Sequence, residues 1–404
     1  MTCRDEPPAP FPDPALAPIE VEAMLALGRL DGALGTCSPT TLRLLAARIL
    51  RDLLTTALRQ EGHAFTEQRF HAWFAGLATL SDHPPREMRP PRTLCEAVLT
   101  ELAHSTWEPI ADLAAQFSSA LLAPSDLIVN AAPGETGHED AHAIVTAARA
   151  LIAQLEPSLL PLVDLAGLHR AAGQHLLFAE PERAFEPVSL GLIRLTIERA
   201  ALPSPRWALE MLWGEHWRAA ELVTHALPFP GLVRLDALRA DSATGEIGPG
   251  DLRIILATAL RDVAQDLRNH IAEADQLARR LEDLRPGRRS SSRAPALLEL
   301  LAGFGPMRSA QLETLLGATR LGVRAMLTAL GDIGVLERTT LAGVHLFSVD
   351  LGARPTTSDR GESPANFGFT SAALNEYNAS MADIDALLAR RGVSLDDADT
   401  RDEP

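Results

Sequence analysis

The punctuation of residues 295–349 constrains this 404-residue chain more than any other feature. Pro295 suits the first turn of a helix, where a missing N–H costs nothing. Leu297, Leu298 and Leu301 form an apolar stripe, and Gly303-Phe304-Gly305-Pro306 stops it. Ser309 is placed to cap a second helix, whose buried side is Leu312, Leu315 and Leu316. Gly317-Ala318 makes a turn and Thr319 caps a third helix. In that helix Val323, Met326, Leu327 and Leu330 recur at i, i+3, i+4, i+7 and face a core. Gly331 and Gly334 end it. Two β-patterned runs, 335–339 and 344–349, then flank the turn residues Ala342-Gly343.

Helix, helix, tight turn, helix, hairpin is the order of a winged helix-turn-helix. The outer side of the third helix carries Gly322, Arg324, Ala325 and Thr328, with Arg320 at its edge. Small residues permit close approach to a groove floor, and the arginines can reach phosphates or the edge of a guanine. The stretch 319–337, TRLGVRAMLTALGDIGVLE, resembles the recognition helix and first wing strand of bacterial winged-helix regulators. That resemblance implies duplex DNA as the partner. Winged helices also serve as protein–protein modules, so that alternative stays open.

Charge placement bears on the choice. Residues 285–293, RPGRRSSSR, form a short basic arm able to lie along phosphates or enter a minor groove. The same arm also suits a solvated linker. From 285 to 349 there are eight Arg against four acidic residues, whereas the whole chain is at −16. An acidic protein with one basic face binds DNA through that face alone. The candidate DNA-contacting residues are therefore Arg288, Arg289 and Arg293 in the arm, and Ser309, Thr319, Arg320, Gly322, Arg324, Thr328 and Arg338 in the module.

Composition bounds the remainder. The chain contains no lysine, and its Ala, Leu, Arg and Pro usage reflects GC-rich coding as much as any binding preference. At 4% aromatics it lacks the material of a carbohydrate-stacking platform. Cys3, Cys37 and Cys95 have no CxxC spacing, so neither a disulfide framework nor a zinc site is expected. The first residues have no apolar stretch like that of a signal peptide, and no run is long enough to span a bilayer. The expectation is a cytoplasmic protein with no membrane contact, no cofactor and no metal.

The fold class expected is mainly α: a helical N-terminal domain plus a C-terminal winged helix-turn-helix with a small β-hairpin wing. Residues 1–18 are Pro-rich and read as disordered. The helical domain spans 19–249, with helical patterns at 19–34, 38–60, 66–80, 94–104, 109–122, 139–155, 160–177, 188–201 and 207–225. Loops fall at 83–91 and 129–137, and mixed elements fit 228–246. No βαβ alternation or glycine phosphate loop occurs.

Residues 250–284 read as one long connecting helix. Leu256, Leu260, Val263, Leu267, His270, Ala274, Leu277, Leu281 and Leu284 step by four and three, a heptad seam. Such a seam fits a homodimer with paired winged helices, or a helix packed on its own N-terminal domain. A basic linker follows at 285–294, the winged helix-turn-helix domain at 295–350, and an acidic tail at 351–404. The tail carries one amphipathic helical pattern, 371–390.

Two enzyme-like constellations need weighing. His138-Glu139-Asp140-Ala141-His142 matches H-E-x-x-H, a zinc-peptidase signature. It sits at a fraying helix start, and Glu156 lies too far along for a third ligand. Glu139 and Asp140 also simply suit a helix N-terminus, so no catalytic or metal residue is assigned. Trp207, Trp213 and Trp217, with Glu210 and His216, fit core packing better than a pocket. The isolated serines lack the context of a nucleophile elbow.

A wider resemblance covers most of the chain. Residues 26–35, ALGRLDGALG, look like a helical opening in N-terminal regions of Fic-type proteins. The run 287–293 followed by a winged helix looks like a set of uncharacterised bacterial proteins. Those pair a helical domain of unknown function with a C-terminal DNA-binding domain. The Fic signature, His-Pro-Phe with a Gly-Asn pair, is missing, so adenylyl transfer is not implied. The resemblance implies a DNA-binding protein of unknown cellular role; taken with the module's residues, the expectation is a non-enzymatic transcriptional regulator or a related DNA-binding accessory protein.

Overall fold

The structure, a computed structural model, describes residues 17–81, 89–124, 140–179, 185–190, 193–198, 204–238, 249–283 and 293–349. For 185–190 and 193–198 the description is of the backbone. The described residues are mainly helical, with a three-stranded antiparallel sheet near their C-terminal end. The readings at 1–16, 284–292 and 350–404 lie outside them, including Arg288, Arg289, Leu284 and the tail helix.

Helix α2 (Pro39–Gln60) organises the bundle. Ser38 caps it, accepting a hydrogen bond from the Thr41 amide at 3.1 Å, and Pro39 sits in its first turn. Leu44, Leu45, Ile49, Leu50, Leu53 and Leu54 are buried, and burial extends round much of the helix. A helix apolar on so many sides must be surrounded. It packs against α4 (Pro91–Leu102), α5 (Glu108–Ala120), α8 (Trp207–Ala219), α10 (Pro249–Asp283) and α11 (Ala294–Gly303).

The heptad seam is satisfied within the chain. Leu256, Leu260, Val263, Leu267, Ala274 and Leu281 of α10 are buried, chiefly against α1 (Ala17–Leu34) and α2. Ion pairs flank the packing: Arg253 with Glu20 at 2.6 Å, and Arg48 with Glu273 at 2.6 Å. The seam is thereby removed as an argument for a homodimer.

One expected helix is a hairpin. The sequence pattern predicts a helix over 188–201, but β1 (Phe185–Leu190) and β2 (Ile193–Glu198) pair antiparallel, with Leu190 opposite Ile193. The alternation Ile193, Leu195, Ile197 against Arg194, Thr196, Glu198 is a period of two. The remaining helices, α3 (Glu67–Phe74), α6 (Ala141–Ala153) and α7 (Pro161–Gln174), fall within the expected windows, and a short α9 (Leu235–Leu238) follows α8.

Residues 294–349 follow the order α11, β3 (Met307–Arg308), α12 (Ser309–Leu316), α13 (Arg320–Asp332), β4 (Leu336–Leu341), β5 (Val344–Val349). The sheet order is β3-β5-β4, so the strand between the first two helices closes onto the last strand of the wing. This is a winged helix-turn-helix. The wing turn has positive φ at both central residues, 49° at Ala342 and 76° at Gly343, the twist that suits a two-residue hairpin loop.

The core runs across residue 295 without a break. Phe304, in the α11 stop signal, lies 4.3 Å from Phe117 and 5.2 Å from Phe74, ring centre to ring centre. The buried side chain of Gln311 in α12 donates to the carbonyls of Ala120 (3.0 Å) and Phe74 (3.3 Å). Those carbonyls belong to helix ends, where no intrahelical donor reaches them. The cap of α12 differs from expectation. Ser309 is its first residue, half-buried, and Gln311 reaches back to accept from the Arg308 amide at 3.1 Å.

Candidate nucleic-acid interface

The candidate face is built on α13. Gly317 ends α12 in the left-handed region at φ 53°, which turns the chain sharply. Thr319 then caps α13, its hydroxyl accepting from the Gly322 amide at 3.2 Å. Val323, Leu327 and Leu330 are buried and Met326 is half-buried. Their burial sets the rotation of the helix. It leaves Leu321, Ala325 and Thr328 exposed on the opposite side, with Arg320 and Arg324 exposed at its margin.

No acidic residue interrupts that side between Arg320 and Thr328. Among the described residues none of Arg320, Arg324 and Arg338 is held in an ion pair. Arg338 is exposed on β4, opposite Phe347 of β5. The wing also carries exposed Glu337, so it is charge-mixed.

The sequence-derived residues thus fall into groups. Arg320, Arg324 and Thr328 are exposed along α13, Thr319 is exposed at its N-cap, and Arg338 lies on the wing. Gly322 is half-buried beside its own cap, 3.4 Å from the Thr319 hydroxyl at the position a Cβ would occupy. Arg293 is engaged elsewhere: its guanidinium donates to the carbonyls of Leu316 and Gly317, the latter at 2.8 Å. It holds the turn between α12 and α13. Leu321, 77% exposed, was not anticipated by sequence reasoning. Its signal was available, since it stands about 160° around the helix from Val323 at about 100° per residue.

Of the other constellations, the H-E-x-x-H run is exposed at Asp140 and His142, and the tryptophan set lies in the core. His138 and Glu139 lie outside the described residues. Asp140 is the N-cap of α6, accepting from the amide of His142, whose side chain is exposed. Among the described residues no three His, Cys, Asp or Glu converge as a metal site. Trp207, Trp213 and Trp217 are fully buried. Glu210, also fully buried, accepts from Gln60 (3.0 Å) and from the amides of Gly231 (2.8 Å) and Val233 (3.1 Å). Burial raises its pKa, and those hydrogen bonds partly oppose the rise. His216 stacks on Trp213 at 4.6 Å and faces Asp164 at 3.8 Å. Burial lowers the His216 pKa and raises that of Asp164.

No protein-family model matches the chain, and no curated protein matches it. A solved structure of a Fic family protein from Desulfovibrio desulfuricans G20 is similar at 17% identity and a TM-score of 0.33. The match covers 87% of this chain and 100% of that one. At that score neither activity nor residue roles transfer. No helix among the described residues is long and apolar enough to cross a membrane.

Proposed function

We propose that this chain is a DNA-binding protein acting as a transcriptional regulator, with α13 in the major groove and the β4–β5 wing beside it. The carrying observation is the outer side of α13: Leu321, Ala325 and Thr328 along its middle, two arginines without ion-pair partners at its margin, and no carboxylate between them. That composition fits a groove floor with phosphates at its margins. The basic arm at 285–293 would add phosphate contacts, through Arg288 and Arg289. Ser309, at the start of α12, would meet the backbone beside the groove. The reading assigns the chain no catalytic step and no cofactor, and places it in the cytoplasm with duplex DNA.

Duplex binding measured across a salt series tests this. Affinity should fall steeply with salt, and the slope should shrink in an Arg288/Arg289 alanine variant. Arg320→Ala or Arg324→Ala should each weaken binding by about 1–3 kcal/mol with the fold retained. Wild-type affinity in the double variant would overturn the assignment and make the module a protein-binding adaptor.

A further inference from the structure

We propose that Leu321 reads sequence by packing on the 5-methyl group of a thymine, a role that rests on the DNA-binding reading above. Single exposed leucines are common and need no explanation. The position of this one does. Leu321, Ala325 and Thr328 recur at i, i+4 and i+7, so they form one stripe along α13. All three are exposed, and the leucine shows 77% of its surface. The stripe runs along the middle of the outer side, opposite buried Val323 and Leu330.

Arg320 and Arg324 lie to one side of that stripe, nearer the buried surface. By helical rotation of about 100° per residue, Arg320 stands only about 60° from Val323 and Arg324 about 100°. Residues at the margin of a groove-bound helix meet phosphates, whereas those at its centre meet base edges. The centre here holds an isobutyl group, a methyl and a threonine. None of these can pair with a guanine as an arginine does. The thymine methyl is the apolar group on the major-groove edge of the standard bases, and it matches such a surface. The geometry therefore divides the labour: the arginines hold the backbone or a flanking guanine, and Leu321 selects an A·T pair at the centre.

The test uses the full chain. Duplexes are selected by wild type from a random pool at low salt. Deoxyuridine then replaces thymidine in the selected site, one position at a time, removing only the methyl. At one or two positions wild type should lose affinity by about fourfold. Leu321→Ala should bind the thymine and uracil duplexes equally there. Its helical circular dichroism should match wild type, because the side chain is exposed. Thymine–uracil indifference in wild type, or a preference that survives in Leu321→Ala, would overturn the role of Leu321 while leaving DNA binding intact. Failure to enrich any duplex would overturn both readings.

Discussion

Arg43 of α2 grips Glu299 of α11 through two hydrogen bonds, Nε to Oε2 at 2.7 Å and Nη2 to Oε1 at 3.2 Å. The pair joins residues far apart in sequence, across the point where the winged module begins. Glu299 is largely buried, whereas the Arg43 side chain is 49% exposed. Losing the arginine would strip a buried carboxylate of a charged partner. Solvent around Arg43 moderates the cost, so Arg43→Ala should destabilise by about 1 kcal/mol. Urea unfolding would measure it, and the shared core predicts one transition by both tryptophan fluorescence and circular dichroism. All five tryptophans lie outside the winged module, so separate transitions would show that it unfolds independently.

The same junction has a steric requirement. A Cβ on Gly303 would lie 2.7 Å from the Ala47 Cβ and 3.0 Å from the Leu44 carbonyl oxygen. Gly303→Ala should therefore cost about 1–3 kcal/mol through overpacking. Adding Ala47→Gly removes the facing methyl and should recover part of the loss in a double-mutant cycle. Simple additivity of the two changes would contradict the contact.

The wing offers a stabilising change. Ala342 holds φ at 49°, a conformation that disfavours a Cβ. Asparagine tolerates it and suits the first position of such a turn before Gly343. Ala342→Asn should raise stability by about 0.5–1 kcal/mol, read as a higher thermal midpoint. An unchanged or lower midpoint would contradict it.

His169 should make stability fall in mild acid. Its Nε2 accepts from the Arg234 amide at 3.1 Å, and its Nδ1 contacts the Leu165 carbonyl at 2.8 Å. Protonating Nε2 would set one donor against another. Burial first, with the charge of Arg206 adding to it, holds the pKa down at about 4. The unfolded ring takes up its proton near pH 6.5. Between about pH 6.5 and 4 the unfolded state thus binds more protons, and stability falls as pH falls. The contribution is of the order of 3 kcal/mol. His71, pushed down to about 3 chiefly by burial, acts with the same sign. Asp164 and Glu210, whose pKa values are raised by burial, act with the opposite sign. The site-specific check is the stability gap between wild type and His169→Gln at about pH 7 and about pH 5. The gap should narrow in acid, and a constant gap would refute the assignment.

Arg293 should behave as a structural cation. It holds the carbonyls of Leu316 and Gly317 at the end of α12, where a cation and a donor are both favourable. Arg293→Ala should lower stability by about 1 kcal/mol. The salt dependence of duplex binding should stay close to wild type. A reduced salt slope at unchanged stability would instead place this arginine on a phosphate.

Much of the fold was legible because local signals agreed with one another. Ser38-Pro39, Thr319 and Gly317 are start and stop signals whose chemistry acts within a turn or two of the chain. The β1–β2 hairpin is ambiguous in sequence because a short apolar run satisfies both periods, and the alternation from Ile193 to Ile197 spans too few residues to exclude a helix. The candidate face was partly legible. Arg320, Arg324 and Thr328 follow from helical spacing, and the same rotation places Leu321 opposite Val323, although the pattern of small and cationic residues does not point to it.

The sequence by itself determined most of the helices, the order of the winged module, and which side of α13 turns away from the core. Helical period and capping are local properties, carried by neighbouring residues. The tertiary structure alone decided what covers each apolar stripe. The seam of α10 could have met a second copy or its own chain, and it met α1 and α2. Phe304, Gln311 and Glu299 joined the winged module to the core of the helical region. Hydrophobic burial carries no direction of its own, so a stripe states that it must be covered and leaves the choice of partner to the packing of the whole chain.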